Sequence, residues 1–293
     1  MNIEWDRYIR NDKLADLELE NLYDSANEKE RIELTKEFNK QGNKYCMPTL
    51  WAELIVNKGT LQEKITLARN WQTFSRHNER EKSIIERLTN DDNILVRCGF
   101  YENAESLFFS FDEDTETLFK KLTHMERLAL MRNPRINNEL VLNIYNLDNN
   151  AIAVTDDERK ELIKAFCTNH EQIEKSKKHF FDDSFLDGLD AYSSTELYPK
   201  LYDQAFKWIN TDPHITAATY KAFSCNGEKK LEIYKKIKNN ENLTFVRIAI
   251  FDSIPERKWP HREYNDLYKE GLSDTYDWIR HISTAKYDNF TKN

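Results

Sequence analysis

Glycine and proline are scarce in this chain, six of each in 293 residues. That scarcity argues against turn-dense β architectures and collagen-like arrays, and leaves little material for glycine-rich phosphate loops. Cysteine is rarer still. Cys46, Cys98, Cys167 and Cys225 stand far apart with no C-x-x-C pair, which predicts reduced thiols in apolar helical surroundings rather than a disulfide frame or a zinc site. No stretch approaches the roughly eighteen apolar residues of a membrane span. The opening Met1-Asn2-Ile3-Glu4-Trp5-Asp6 has neither the basic nor the apolar part of a secretion signal. The expectation is a cytoplasmic protein with no membrane contact, no metal and no cofactor. Ser-His-Asp, H-E-x-x-H, Walker and G-x-S-x-G patterns are also missing, so no catalytic residue is nominated.

What is abundant is charge. Charged residues make up 32% of the chain, with a net charge of −8. A surface of that balance repels nucleic acid and anionic lipid unless a basic patch is segregated from the rest, so the expected partner is another protein. The length suffices for a large core, and the shortage of glycine and proline makes an all-α chain the economical reading. Helix starts are marked by Ser25/Glu28, Thr60/Glu63, Thr155/Glu158 and Ser193/Glu196. At this S/T-x-x-E spacing two side chains satisfy orphan backbone N–H groups reciprocally. Asn-rich turns at 90–93, 146–150 and 239–242 separate the helices.

A pattern recurs within these helices. Arg97-Cys98-Gly99-Phe100-Tyr101-Glu102-Asn103, Arg127-Leu128-Ala129-Leu130-Met131-Arg132-Asn133 and Arg247-Ile248-Ala249-Ile250-Phe251-Asp252-Ser253 share the order basic, apolar, small, apolar, apolar, charged, then Asn or Ser. Lys64-Ile65-Thr66-Leu67-Ala68-Arg69-Asn70 is a weaker copy. The leading residues lie 33, 30 and 120 positions apart, which predicts a stack of units of about thirty residues. The small third residue would let a neighbouring helix approach closely, and the closing Asn would end the helix.

Asp91 precedes Arg97 by six residues and Glu241 precedes Arg247 by six, with Val96 and Val246 directly before the bases. This acid, turn, Val-Arg pattern resembles HEAT and HEAT-like repeats. The resemblance implies antiparallel helix pairs stacked into a right-handed α-solenoid of roughly seven repeats. It also implies a ladder of acids and bases on successive inner helices, here Asp91, Arg97, Arg127, Glu241 and Arg247, with Lys121 standing where the acid before Arg127 would fall. On this reading residues 1–293 are one solenoid, with repeats at 46–260 and capping helices at 1–45 and 261–293. The implied role is a non-enzymatic scaffold or adaptor for another protein, with an immunity or defence setting left open. The alternative within the group is a nucleic-acid-binding or DNA base-excision protein. Arg127 to Pro134, followed by Glu139-Leu140, is also similar to variant leucine-rich repeats of bacteria, whose shorter periods rank them second.

Three further segments hold candidate site residues. Trp71 and Trp259 each sit beside a polar or proline-broken stretch, as exposed interface anchors do. Glu228 to Arg262 holds nine cations against five acids. A helical wheel with Leu231, Ile233, Tyr234 and Ile237 turned inward leaves only Lys229, Lys235 and Lys236 clearly toward solvent, little for tracking a phosphate backbone. The segment from His170 to Asp183 gathers potential ligands, but His170 and His179 are nine residues apart and face opposite sides of one helix. Only His179 and Asp183 could meet, and two ligands do not make a metal site.

Overall fold

Reciprocal capping accounts for where several helices begin. The Thr60 N–H donates to Glu63 Oε2 at 2.7 Å while Thr60 Oγ1 accepts the Glu63 N–H at 3.3 Å, so a helix opens at Leu61. Thr123 and Glu126 form the same box ahead of His124. Glu158 N–H donates to Thr155 Oγ1 at 3.1 Å. Ser25, by contrast, closes a helix, its hydroxyl donating to the Leu22 carbonyl. The box expected there forms two residues later, where Asn27 and Glu30 exchange bonds of 2.9 and 3.1 Å. Ser193/Glu196 lies outside the described residues.

The computed structural model describes residues 13–40, 47–70, 79–103, 115–133, 155–177, 197–222, 227–254 and 262–291, together with Ile144. These residues are all-helical, with no strand among them. The chain divides into two compact units, Met1–Ile136 and Asn137–Asn293.

The first unit contains α1 (Lys13–Ser25), α2 (Glu28–Lys40), α3 (Thr49–Lys58), α4 (Leu61–Asn70), α5 (Glu79–Thr89), α6 (Ile94–Asn103), α7 (Thr115–Lys121) and α8 (His124–Met131). Alternate helices pack on one another: α2, α4, α6 and α8 in one row, α1, α3 and α5 in a second. Trp51, Ala52, Leu67, Ala68, Val96 and Phe100 are completely enclosed. A Cβ on Gly99 would stand 3.2 Å from Arg69 Cγ and 3.5 Å from Ala68 Cβ, so α6 lies against α4 at a distance that only a small residue allows without repacking. Asn70 and Asn103 end their helices by donating Nδ2 to the carbonyls four residues back, at 2.6 and 3.0 Å.

The second unit contains α9 (Asp156–Lys177), α10 (Leu197–Lys207), α11 (Pro213–Ala222), α12 (Gly227–Ile237), α13 (Thr244–Asp252), α14 (Asn265–Gly271) and α15 (Asp277–Thr291), with 3₁₀ turns at Glu241–Leu243 and Arg262–Tyr264. Here α11 packs against α9, α10 and α13, while α14 packs against α12 and α15. Tyr202, Tyr220, Tyr234 and Phe251 fill the interior. Gly271 permits the last contact, since a Cβ there would fall 2.2 Å from Ser283 Oγ and 2.8 Å from Phe251 Cζ. Among the described residues no helix is long and apolar enough to cross a membrane.

Candidate functional site

Each leading arginine staples the turn before its own helix. Arg97 Nη1 donates to the Asp91 carbonyl at 2.5 Å and Arg247 Nη1 to the Asn240 carbonyl at 2.6 Å. Arg127 donates to the carbonyls of Phe119 and Lys120, at 3.0 and 3.2 Å, with its guanidinium over the Phe119 ring. Two arginines absent from the sequence pattern do the same: Arg31 to the Ala26 carbonyl at 2.5 Å and Arg280 to the Asp274 carbonyl at 2.6 Å. Their positions carried a signal, because Arg31 precedes Lys64 by 33 residues and Arg280 follows Arg247 by 33.

Arg31 and Arg97 also reach forward to an acid on a neighbouring helix, and Lys64 and Arg247 to an acid in the turn before one. Arg31 Nε meets Glu63 Oε1 at 2.5 Å, Lys64 Nζ meets Asp91 Oδ2 at 3.1 Å, and Arg97 Nε meets Glu126 Oε1 at 2.6 Å. These bonds join the first turns of α2, α4, α6 and α8, so the four helix N-termini lie side by side at one end of the row. In the second unit Arg247 pairs with Asp274, both side chains at 1% exposure or less. Nε lies 3.1 Å from Asp274 Oδ2, near enough for Coulomb attraction but misaligned for a hydrogen bond. Nη2 supplies the bonds instead, to Asp274 Oδ1 at 3.3 Å and Thr275 Oγ1 at 3.2 Å. Glu241 is exposed and makes no ion pair among the described residues. Lys121 is exposed as well.

Burial of Glu63 opposes its charged form, but bonds from Arg31 and Thr60 outweigh that and hold its carboxyl below the usual 4.5. Glu126 is lowered in the same way, burial being outweighed by Thr123 and Arg97. A carboxylate whose folded-state pKa is depressed stabilises the fold above its unfolded value and loses that contribution as pH falls through its folded one. The first unit should therefore melt at lower temperature as pH drops below 4.5, and Glu63→Gln/Glu126→Gln should flatten that slope while lowering the neutral-pH melting temperature. An acid slope unchanged by the double substitution would assign the sensitivity to other carboxylates.

The basic candidates are engaged with acids. Lys229 Nζ lies 2.7 Å from Asp203, Lys236 lies 2.6 Å from Glu232 and over the Phe206 ring, and Lys235 lies 3.7 Å from Glu270. Lys230 is fully buried and donates to Ser253, whereas Leu231, expected inward, is half-buried. Trp71, Trp259, His179 and Asp183 lie outside the described residues, as do Cys46 and Cys225; His170 falls within α9. Cys98 is a free thiol, and the buried Cys167 thiol donates to Thr219 Oγ1 at 3.7 Å. Among the described residues no three His, Cys, Asp or Glu side chains converge on a point that would hold a metal ion.

Exposed apolar side chains are the feature that sequence reasoning missed. Leu61, Leu95 and Met125 are 45%, 52% and 52% exposed, and each sits in the first turn of α4, α6 or α8. Leu95 and Met125 precede Arg97 and Arg127 by two residues, as Trp278 precedes Arg280. The ladder aligns these N-termini, so Leu95 and Met125 hold equivalent positions at one edge of the stack, and Leu61 stands one residue from the equivalent position on α4. The chain matches no family model, no curated protein and no solved structure.

Proposed function

We propose that the chain is a non-enzymatic adaptor, each unit a stretch of HEAT-like α-solenoid, which holds another protein against the edge formed by the N-terminal ends of its stacked helices. The observation that carries this reading is the exposure of Leu61, Leu95 and Met125. Burying a leucine or methionine side chain yields about 1.5–3 kcal/mol, and these three forgo that gain in a molecule whose other large apolar residues are mostly enclosed. Grouped exposed apolar side chains mark interaction surfaces. The ladder supports the same reading, because it fixes the relative height of successive helices and so keeps Leu95 and Met125 in register. A nucleic-acid partner is less well supported, since Lys229, Lys235 and Lys236 are engaged with Asp203, Glu270 and Glu232.

The test compares proteins retained from the native cell by the wild type and by Leu61→Ser/Leu95→Ser/Met125→Ser. None of the three contributes to the core, so the melting temperature should hold. Affinity for a protein retained by the wild type should fall at least about tenfold, or about 1.4 kcal/mol. Equal retention by both would remove this edge from the binding surface.

A further inference from the structure

The second unit carries aromatic rings at the positions where the first carries Leu95 and Met125. Those two are the second residues of α6 and α8, and His214, Phe245 and Trp278 are the second residues of α11, α13 and α15. The His214 ring stacks on that of Phe245, with centroids 5.2 Å apart. The starts of α13 and α15 are adjacent as well, because one nitrogen, Arg247 Nη2, donates to both Thr244 Oγ1 and Thr275 Oγ1. Phe245 and Tyr276 are the next residues along. His214 is exposed, Tyr276 and Trp278 are 41% and 37% exposed, and Phe245 is half-buried. The three helix starts therefore bring four rings to one edge of the unit.

Carboxylates accompany the rings. Asp212 stands two residues before His214 and Glu241 four before Phe245, and neither meets a cation among the described residues. Asp277, beside Trp278, is paired with Arg280 yet keeps its side chain 92% exposed. The other bases nearby are engaged: Arg247 is enclosed against Asp274, and Lys238 bonds Glu270. What reaches solvent is ring surface with two uncompensated acids, which repels an anion and attracts a cation. A guanidinium suits both parts, since it stacks flat on an aromatic face and forms two parallel bonds to a carboxylate. The chain uses this combination itself: the Arg31 guanidinium lies 4.7 Å over the Tyr23 ring while its Nε meets Glu63.

We propose that this edge holds an arginine-rich segment of a protein partner, its guanidinium groups lying on the rings of His214, Phe245, Tyr276 and Trp278 and pairing with Asp212 and Glu241. The net charge of −8 draws such a segment in. The site belongs to the second unit alone, and it stands whether or not Leu61, Leu95 and Met125 hold a partner of their own.

Fluorescence anisotropy with a labelled peptide alternating arginine and serine, at physiological salt, tests it. The full chain should bind this peptide and not the counterpart with glutamate in place of arginine. Tyr276→Ser/Trp278→Ser and Glu241→Lys should each weaken binding at least about tenfold, the first by removing ring faces and the second by setting a like charge against the guanidinium. Glu20→Lys makes the same change in net charge at an exposed site on α1 and should bind as the wild type does. Leu61→Ser/Leu95→Ser/Met125→Ser should too, which keeps this site and the first unit's edge separately testable. Circular dichroism melting of each variant separates loss of contact from loss of fold. A wild type that does not bind the arginine peptide, edge variants that bind it as the wild type does, or a loss in Glu20→Lys equal to that in Glu241→Lys would each overturn the proposal. So would tighter binding of single-stranded oligothymidylate than of the peptide, because the rings would then serve as a platform for bases.

Discussion

Replacing Arg247 by alanine is expected to destabilise the second unit by about 3–5 kcal/mol, the usual consequence of removing one partner from a fully buried ion pair. Arg247 and Asp274 are enclosed at 1% and 0% side-chain exposure. Asp274 would keep two donors, the Tyr234 hydroxyl at 2.5 Å and the Tyr276 N–H at 2.7 Å, but no cation. Three further acceptors each lose a bond at once: Thr244 Oγ1, Thr275 Oγ1 and the Asn240 carbonyl, which keeps the Leu243 N–H at 3.1 Å. The turn before α13 would thus be freed together with the link to the start of α15. Urea unfolding followed by circular dichroism measures the loss. Removing both charges with apolar side chains of similar size, as in Arg247→Met/Asp274→Leu, should cost less than Arg247→Ala alone, because no uncompensated charge then stays buried. A loss below about 1 kcal/mol for Arg247→Ala would place the pair in a much wetter setting than the structure gives it.

The all-helical class was legible in the sequence because its signals are local. The Thr60/Glu63 box and the closing Asn70 and Asn103 act within four residues of themselves, and such bonds survive whatever the tertiary context. The ladder was harder to read. The six-residue spacing of Asp91 and Arg97 marks the turn but not the bonds: the long side chain of Arg97 takes the Asp91 backbone carbonyl and sends Nε to Glu126 on the next helix, an acid outside that spacing. A backbone carbonyl leaves no trace in residue identity, and this is also why Asn240, not Glu241, anchors Arg247. Arg31 and Arg280 have the spacing but not the small residue two positions on, so a template built on close packing passes over them. The helical wheel leaves Lys230 out of the solvent-facing set, but the Ser253 hydroxyl that receives its buried amine lies 23 residues away and leaves no mark on the wheel. The exposed edge residues were invisible for a different reason, since an apolar residue at helical spacing reads as core. Leu95 and Met125 come directly before the buried Val96 and Glu126, and only the packing of α4, α6 and α8 decides which neighbour is covered.

Trp51→Ala should cost the first unit about as much as Arg247→Ala costs the second, roughly 3–5 kcal/mol, the range for deleting an enclosed tryptophan. Trp51 is at 0% exposure, and its indole meets the Tyr23 ring edge-on at 5.3 Å. Its Nε1 donates to Thr35 Oγ1 at 3.0 Å, and that hydroxyl donates in turn to the Arg31 carbonyl at 2.7 Å. The tryptophan therefore braces the first rung of the ladder from beneath. Tyr23 carries the Arg31 guanidinium 4.7 Å over its ring and directs its hydroxyl toward Glu63 Oε1 at 3.5 Å, and burial and the neighbouring Glu63 raise its pKa to about 12. Trp51→Phe keeps a ring against Tyr23 but gives up the bond to Thr35, so its cost should fall clearly below that of alanine. If the tryptophan positions the rung as well as filling space, Trp51→Ala and Glu63→Gln should not add: their coupling should reach at least about 0.5 kcal/mol, as for residues sharing one network. Denaturant unfolding of the two single variants and the double variant supplies all three values. Strict additivity would reduce Trp51 to a space-filling role and leave the Arg31–Glu63 pair to hold its geometry unaided.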